Sequence, residues 1–443
     1  MDRLRRIVSN FGFLLQVTGL LLFLPIAIGL QAGELAAVSS LVATCFLSFG
    51  VGFIFNSFAE RKEMDARTSL WLMLSAFTIL PLVLMVPYIW NNVFHSGNPF
   101  DLFSNAYFET VSGFTTTGFS FIANPSSLPM SLLFYRSLVE FIGGVGFVYI
   151  LVAFLYPSES LNDFSEAFGI EKIGDNLKKV FVAILLIYTL FVVVFTAIFY
   201  FVYSKNIIVS SCTAIDILTG GYQPNITAGI GIFQISILVL MLLGSLNFSF
   251  HYNLFRLKLH ELLTPEIKFY LEFLAAMTVI ISFLAWINPF DSLFHVVSMA
   301  SSTGIEYIDI ATTPVAAKIL FILVGIAGGC AFSMAGGIKM KRIHQLVNAL
   351  RRNSEEPTRE ELKSILVFII SFVVLLLLLS LAFSTVGISY LDSVFEVSSA
   401  LTTNGVSMGI TTITLPLAYK WILIFAMIVG RVEIVNIFKM IRG

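Results

Sequence analysis

Four short segments rich in threonine, serine and glycine recur along this chain, and their composition suits the coordination of a dehydrated cation. They are Thr115-Thr116-Thr117-Gly118-Phe119, Leu218-Thr219-Gly220-Gly221-Tyr222, Ser301-Ser302-Thr303-Gly304-Ile305 and Leu401-Thr402-Thr403-Asn404-Gly405. Main-chain carbonyl oxygens can replace the water around a cation when turns between apolar helices aim them at one axis. Each segment is therefore similar to one quarter of an ion selectivity filter.

The four segments align on the glycine that precedes Phe119, Tyr222, Ile305 and Val406. Glycine can place its carbonyl where a residue with a Cβ is strained. The alternative is that small residues only allow close helix packing. Any single turn fits either interpretation, but four at matched positions favour cation coordination. The candidate ligands are Thr116, Thr117 and Gly118; Thr219, Gly220 and Gly221; Ser302, Thr303 and Gly304; and Thr403, Asn404 and Gly405.

The elements that must position these turns are membrane helices. Of the 443 residues, 57% are hydrophobic and 12% are charged, whereas soluble domains carry about 25% charged residues. Apolar runs of about 20 residues can span a bilayer. Such runs predict ten spans, near 10–30, 37–57, 68–90, 129–156, 178–203, 228–254, 267–287, 314–345, 362–384 and 415–438. We interpret the first run as a retained span rather than a cleaved signal peptide.

Lysine and arginine concentrate in alternate connections, which predicts the orientation because cytoplasmic loops collect these residues. The N-terminus, the loops near 58–67, 157–179, 255–268 and 339–363, and the tail are basic. The connections before the four turns carry almost no basic residues. We therefore expect both termini in the cytoplasm and all four turns to follow outer loops.

After two N-terminal helices (1–67), the hydropathy predicts four repeats of one pattern: a span, a short apolar segment, a glycine turn and a second span. The repeats are assigned to 68–157, 158–258, 259–350 and 351–443. The short segments, at 103–114, 207–218, 291–301 and 390–401, would cover about 18 Å as helices, so they cannot cross a hydrocarbon layer of about 30 Å. The predicted class is an all-α polytopic membrane protein with four pseudo-fourfold helix–pore-helix–helix repeats around one ion pore.

The second span of repeat three is predicted to break between residues 325 and 337. Five glycines in thirteen residues disfavour a helix there, each by about 1 kcal/mol relative to alanine. The alternative is close glycine packing inside a regular helix. Arg431 falls within the last span, where a charge is costly and usually faces a partner or a water cavity. The alternative interpretation is that Arg431 pairs with Glu433 or reaches the lipid headgroups.

Charged residues elsewhere admit two interpretations. Asp101, Glu109, Asp216, Asp291, Glu306, Asp309, Asp392 and Glu396 gather toward the outer side. They form either a vestibule that concentrates cations or, for Glu109, Asp216 and Glu396, braces behind the short helices. Arg136 and Glu140 are four residues apart and predict a structural ion pair on one helix face. The cysteines Cys45, Cys212 and Cys330 are predicted to be buried thiols.

Four motifs resemble the Trk/Ktr/HKT superfamily of potassium transporters, most closely its TrkH-type subunits. They are TTTGFS at 115–120, IGGVGFVYILVAFLYP from Ile142 to Pro157, GGCAFSMAGGIK at 328–339 and GRVE at 430–433. The resemblance implies a homodimer with one pore per protomer and a cytosolic, TrkA-type nucleotide-binding gating subunit. It implies a gate formed by the intramembrane loop and the arginine below the filter, here Gly328, Gly329, Ser333, Gly336, Gly337 and Arg431. The chain departs from the family pattern at Tyr222-Gln223-Pro224, Ile305 and Met334.

The resulting hypothesis is a potassium-uptake channel or transporter subunit in the plasma (inner) membrane of a prokaryote. K+ is the transported ion, and we expect no organic cofactor and no nucleic-acid partner; membrane lipid surrounds the chain. The alternative is a Na+-conducting or cation-coupled (H+ or Na+) K+ symporter on the same scaffold. Gly118 favours K+, because related plant transporters that prefer Na+ have serine in the first loop. An intramembrane enzyme is disfavoured, since no Gly-x-Ser-x-Gly or comparable nucleophile pattern is present.

Overall fold

Helices are the regular elements throughout the residues that the computed structural model describes, which are 2–57, 66–150, 177–222, 231–351, 357–385 and 387–433. The predicted all-α class is confirmed. The long helices expose apolar faces outward, such as Phe46 and Phe283. The shorter helices lie inside them and are largely buried.

The N-terminal helices, Asp2–Leu21, Phe23–Ala32 and Leu35–Asn56, form a hairpin. A Cβ on Gly12 would lie 2.7 Å from the carbonyl oxygen of Gly52, so glycine permits this close approach. At the tip, the Glu34 carboxylate accepts hydrogen bonds from the backbone amides of Met130 (2.7 Å) and Ser131 (2.9 Å). These bonds satisfy amides at the start of the helix that follows the first turn, and they fasten the hairpin to it.

Four units of the same order follow the hairpin, each with a long helix, a short helix, a non-helical turn and a returning helix. We name the four helices that precede the turns short helix 1 (Pro99–Phe114), short helix 2 (Ile207–Thr219), short helix 3 (Pro289–Ala300) and short helix 4 (Tyr390–Leu401). The assigned repeat boundaries remain predictions, and residue 157 lies outside the described residues. The units contain Ala66–Leu84, Val86–Trp90, Pro99–Phe114 and Met130–Ile150; Leu177–Val202, Ile207–Thr219, Ile232–Ser245 and Phe248–Phe255; Pro265–Ala285, Pro289–Ala300, Val315–Ala327 and Met340–Arg351; and Arg359–Ser384, Tyr390–Leu401 and Leu417–Val432.

The short helices begin at side-chain caps. Asn98, Asn206, Asn288 and Ser389 each accept a hydrogen bond from a first-turn amide of the helix that follows. Such caps satisfy donors that have no intrahelical partner. Proline follows the cap in short helices 1 and 3, where its missing amide costs nothing. These caps fix the outer ends of the short helices, so that their inner ends point to the turns.

Six helices in the described part of the chain are long and apolar enough to cross a membrane, or seven if one bent pair is a single span. Three of the ten predicted spans, near 129–156, 228–254 and 415–438, extend beyond the described residues, so the count of ten remains a prediction. The span predicted near 314–345 is interrupted between Ala327 and Met340, as the glycine content predicted.

The predicted span near 228–254 is broken rather than straight, because the chain bends by 108° between Ser245 and Phe248. At the bend, the Asn247 side chain caps the second segment through the Phe250 amide. The Phe248 amide donates to the carbonyl of Phe332, which belongs to the interrupted segment of repeat three. Tertiary hydrogen bonds thus replace those that a continuous helix would make.

Candidate functional site

The four predicted turns meet in a closed ring. At each junction, a Cβ on a turn glycine would overlap main-chain atoms of the next turn. Glycine is thus required by the close approach itself. The junctions are Gly118 with Gly221, Gly220 with the carbonyl oxygen of Ser302, Gly304 with that of Asn404, and Gly405 with that of Thr117.

Three of the turns share one backbone conformation, and the second differs. The residue two before the aligned glycine is left-handed in repeats one, three and four, at Thr116 (φ 58°), Ser302 (φ 57°) and Thr403 (φ 51°). The aligned glycines of those turns are also at positive φ. In repeat two, Thr219 still belongs to short helix 2, and Gly220 has φ 86°. Non-glycine residues with positive φ are uncommon and costly, which marks these turns as specified by their surroundings.

Side chains of the turns reach behind the ring to the preceding repeat. The Thr303 hydroxyl donates to the carbonyl of Ile217 at 3.3 Å, and the Asn404 amide nitrogen donates to that of Met299 at 2.7 Å. Thr117 instead shares a hydrogen bond with Thr115 at 2.8 Å. The twelve predicted ligand residues are all buried or nearly so, and the Thr403 hydroxyl and Asn404 Oδ1 are buried without a hydrogen-bond partner.

Two of the acidic residues lie behind short helices rather than in an open vestibule. Glu109 accepts hydrogen bonds from the Ser120 hydroxyl and the Phe121 amide, both at 2.9 Å. Glu396 accepts from the Ser407 hydroxyl at 2.7 Å and the Met408 amide at 3.0 Å. These carboxylates brace the chain that leaves turns one and four, which favours the bracing interpretation for both.

The predicted ion pair between Arg136 and Glu140 was wrong. Arg136 Nε instead lies 3.0 Å from Glu109 Oε1, and both side chains are buried. The Glu140 carboxylate accepts a hydrogen bond from the Thr219 hydroxyl at 2.7 Å. Both residues turn toward the short helices because a buried charge needs a close partner, and those helices supply one.

The interrupted segment of repeat three lies against the inner side of the ring. The helix ends at Ala327, the next begins at Met340, and Gly328 and Gly337 have positive φ. The Gly336 amide donates to the hydroxyl of Ser302 at 2.8 Å. A Cβ on Gly336 would overlap the carbonyl oxygen of Thr402. The segment therefore touches the third and fourth turns.

Repeat two and the first helix of repeat three also hold this segment. Cys330 donates its amide to the carbonyl of Ser245 at 3.0 Å, next to the 108° bend. The amide of Ala331 donates to Glu266 Oε1 at 2.6 Å. Ser333 closes a turn within the segment by donating its hydroxyl to the Cys330 carbonyl at 2.6 Å. The polar groups of this irregular backbone therefore form hydrogen bonds with protein groups, as non-helical backbone at membrane depth requires.

Arg431 joins the same segment from the last helix. Its Nη1 donates to the carbonyl of Met334 at 3.1 Å, and the residue is 2% exposed. Glu433, the alternative partner predicted for Arg431, forms an ion pair with Arg342 at 2.6 Å. The predicted gate residues Gly328, Gly329, Ser333, Gly336 and Gly337 are thus close to Arg431, although their role in gating remains a prediction.

Sequence reasoning missed two residues that support the turns. His295 Nε2 accepts from the amides of Tyr307 (3.3 Å) and Ile308 (3.2 Å). Lys420 Nζ donates to Asn105 Oδ1 at 2.7 Å, from the last helix to short helix 1. Alignment of the short helices on the turn glycines would have found His295, which occupies the position of Glu109 and Glu396. No local pattern marks Lys420, because its partner is 315 residues away.

Comparisons with known proteins agree with this architecture. The Trk system potassium uptake protein TrkH of Halomonas elongata is 27% identical and aligns over 98% of this chain and 97% of its own. The TrkH protein of Escherichia coli K12 is 24% identical over 96% of this chain and 97% of its own. An uncharacterised cation transporter of Methanocaldococcus jannaschii is 27% identical over 97% and 94%.

The fold is similar to that of a crystal structure. The potassium transporter TrkH from Vibrio parahaemolyticus superimposes with a TM-score of 0.84, covering 99% of both chains at 20% identity. The model of the TrkH family, described as a cation transport protein, matches residues 71–286 and 287–440. These matches span nearly all of the four units, and the chain belongs to the TrkH family of cation transport proteins.

Proposed function

We propose that the chain is a potassium-uptake pore in which K+ loses water at the outer mouth and crosses layers of carbonyl oxygens at the four turns. The closed ring of turns is the observation that carries this proposal. The names of the relatives support K+ as the ion. Carbonyl rings are a recurrent means of replacing the hydration shell of K+.

Below the ring, ions would pass the segment between Ala327 and Met340, which acts as the gate together with Arg431. The support is positional: the segment touches Ser302 and Thr402, and Arg431 bonds its Met334 carbonyl. An inside-negative potential supplies about 2.3 kcal/mol per charge per 100 mV. Inward K+ movement therefore needs no coupled reaction.

Control by nucleotide would come from a partner. The sequence contains no Gly-Lys-Ser/Thr phosphate loop, and the relatives are named as components of a Trk system. We propose that a cytosolic TrkA-type nucleotide-binding subunit docks near the basic helix Met340–Arg351. We also propose a homodimer with one pore per protomer and both termini in the cytoplasm.

Ion uptake into proteoliposomes that contain the purified chain tests the proposed selectivity. Rb+ and Na+ entry would be measured with and without an inside-negative potential and with and without a proton gradient. The informative variant is Gly118→Ser, because Gly118 has φ 83° and meets turn two of the ring. The matched control is Gly50→Ser, at an exposed helix position with no atom near the added Cβ.

We expect potential-driven Rb+ entry far above Na+ entry, a raised Na+ share in Gly118→Ser, and an unchanged ratio in Gly50→Ser. If the pore of the chain alone is closed, the ratio of Rb+ to Na+ entry is measured in the same assay with the Trk partner subunit added. Na+ entry exceeding Rb+ entry would overturn K+ selectivity and favour the Na+-conducting alternative. Rb+ entry that requires a proton gradient would favour a coupled symporter. An unchanged ratio in Gly118→Ser would show that Gly118 is outside the filter.

A further inference from the structure

Three of the four short helices carry an acceptor at one equivalent position, nine residues before the aligned glycine: Glu109, His295 and Glu396. Each accepts a backbone amide from the chain that leaves its own turn, at Phe121, Tyr307 and Met408 respectively. These bonds hold the outgoing chain against the short helix that precedes the turn. Repeat two has Cys212 at this position, and a thiol is a weak acceptor.

Turn two is held by repeat one instead. The Thr219 hydroxyl donates to Glu140 Oε1 at 2.7 Å. The Tyr222 hydroxyl donates to the carbonyl of Glu109 at 3.0 Å. The guanidinium carbon of Arg136 lies 3.3 Å from the centre of the Tyr222 ring. Glu140 and Arg136 are one turn apart on the helix Met130–Ile150, so a single helix of repeat one supports both ends of turn two.

Glu140 is in direct contact with the backbone of the turn. It is completely buried, and a Cβ on Gly221 would overlap both of its carboxylate oxygens. Thr219 has one hydroxyl hydrogen but two acceptors in reach, Glu140 and the carbonyl of Ile215 at 2.8 Å. The Glu140 carboxyl oxygen and the Ile215 carbonyl thus share the Thr219 hydroxyl, which ties the end of short helix 2 to repeat one.

We propose that Glu140 is a positioning residue for the second turn, replacing from repeat one the acceptor that short helix 2 lacks at Cys212. The inference rests on the proposed function, because it assigns to Glu140 the placement of carbonyls that would bind K+. Its ligand class is the same monovalent cation, and Glu140 acts on that cation only through Thr219 and the backbone at Gly221.

The test is cation-dependent thermal stability of the purified full chain, which does not require an open gate. Ligand binding to the folded state stabilises it by RT ln(1 + L/Kd), where L is the ligand concentration, so Tm rises with the logarithm of ligand concentration once that concentration exceeds Kd. Titrations of K+ and of Na+, with N-methyl-D-glucamine as the replacement cation, would give two apparent Kd values. The variant Glu140→Gln preserves side-chain volume but replaces one carboxyl oxygen with an amide nitrogen, which cannot accept a hydrogen bond. The matched control is Glu34→Gln, which weakens the hydrogen bonds at the other, partly buried end of the same helix, at Met130 and Ser131.

We expect Glu140→Gln to lower the preference for K+ over Na+ on the order of tenfold, the effect of one lost buried hydrogen bond. Glu34→Gln should lower Tm without cation but leave the preference unchanged. Should Glu140→Gln not fold, Thr219→Val removes the same hydrogen bond from the other side and should lower the preference similarly. Equal loss of preference in Glu140→Gln and Glu34→Gln would assign the effect to helix stability and overturn the proposal.

An unchanged K+ preference in Glu140→Gln, or in Thr219→Val if that variant is needed, would also overturn the proposal that Glu140 positions the second turn. These outcomes are distinct from failure of the proposed function. If the unmodified chain showed no preference for K+ over Na+ in the titrations and in Rb+ uptake, the potassium pore itself would be refuted. If the unmodified chain prefers K+ and the variants match it, only the role of Glu140 is refuted.

Discussion

The hydrogen bond between the Gly336 amide and the Ser302 hydroxyl, at 2.8 Å, links the proposed gate directly to the third turn of the ring. The variant Ser302→Ala removes this acceptor and nothing else that the hydroxyl is seen to contact. A hydrogen bond of this kind contributes about 0.5–1.5 kcal/mol net. If the gate must leave this position for ions to pass, loss of this hydrogen bond should raise the fraction of open pores by about twofold to tenfold.

The assay is the initial rate of Rb+ entry into proteoliposomes at matched protein content. The control Ser302→Thr keeps the hydroxyl and should retain the wild-type rate. Threonine is compatible with the left-handed backbone there, because Thr116 and Thr403 occupy the same position with φ of 58° and 51°. A second control, Ser333→Ala, breaks a bond within the segment but none to the ring.

This reasoning would be refuted if the initial rate of Rb+ entry in Ser302→Ala were equal to or below that in Ser302→Thr. The hydrogen bond would then be incidental to gating. A change in the Rb+/Na+ ratio without a change in the Rb+ rate would place the role of Ser302 in selectivity instead.

Three further variants follow from named contacts. Glu396→Gln replaces one carboxylate oxygen with an amide group that donates, and this donor faces partners that are themselves donors. The free energy of unfolding should fall by about 2–3 kcal/mol and Tm by several degrees; an unchanged Tm would contradict the bracing role of Glu396. Arg431→Gln shortens the reach to the Met334 carbonyl, and faster Rb+ entry is expected; slower entry would argue against a barrier role. Glu433→Gln weakens the 2.6 Å pair with Arg342, and increased proteolysis at this end of the last helix is expected, with no change in the Rb+/Na+ ratio.

The sequence predicted the parts of the fold that leave a local signal. Apolar segments too short to span a bilayer predicted the short helices to within a few residues; the segment at 390–401 coincides with Tyr390–Leu401. The glycine content of 325–337 predicted the interruption after Ala327. In both cases the signal is contained in fewer than twenty consecutive residues.

Contacts between repeats could not be predicted in this way. Arg136 and Glu140 have helical spacing, which suggested that they pair with each other, but their partners are Glu109 and Thr219, 27 and 79 residues away. The bend after Ser245 could not be predicted for the same reason. Asn247 is a single polar residue in an apolar run, and the bend depends on the distant Phe332 carbonyl, which accepts a hydrogen bond from the Phe248 amide. Local periodicity predicts which face of a helix is buried, but not which distant group meets it.

A ring made by one chain has a consequence for how its ion preference can change. In a channel of four identical subunits, one codon alters all four ligand sets at once. Here each turn is encoded separately, as the divergent second turn with Gly220 and Tyr222 illustrates. A change of about 1 kcal/mol at one turn shifts an equilibrium about fivefold, whereas the same change at four turns shifts it on the order of a thousandfold. Single substitutions can therefore adjust the ion preference of this protein in small steps.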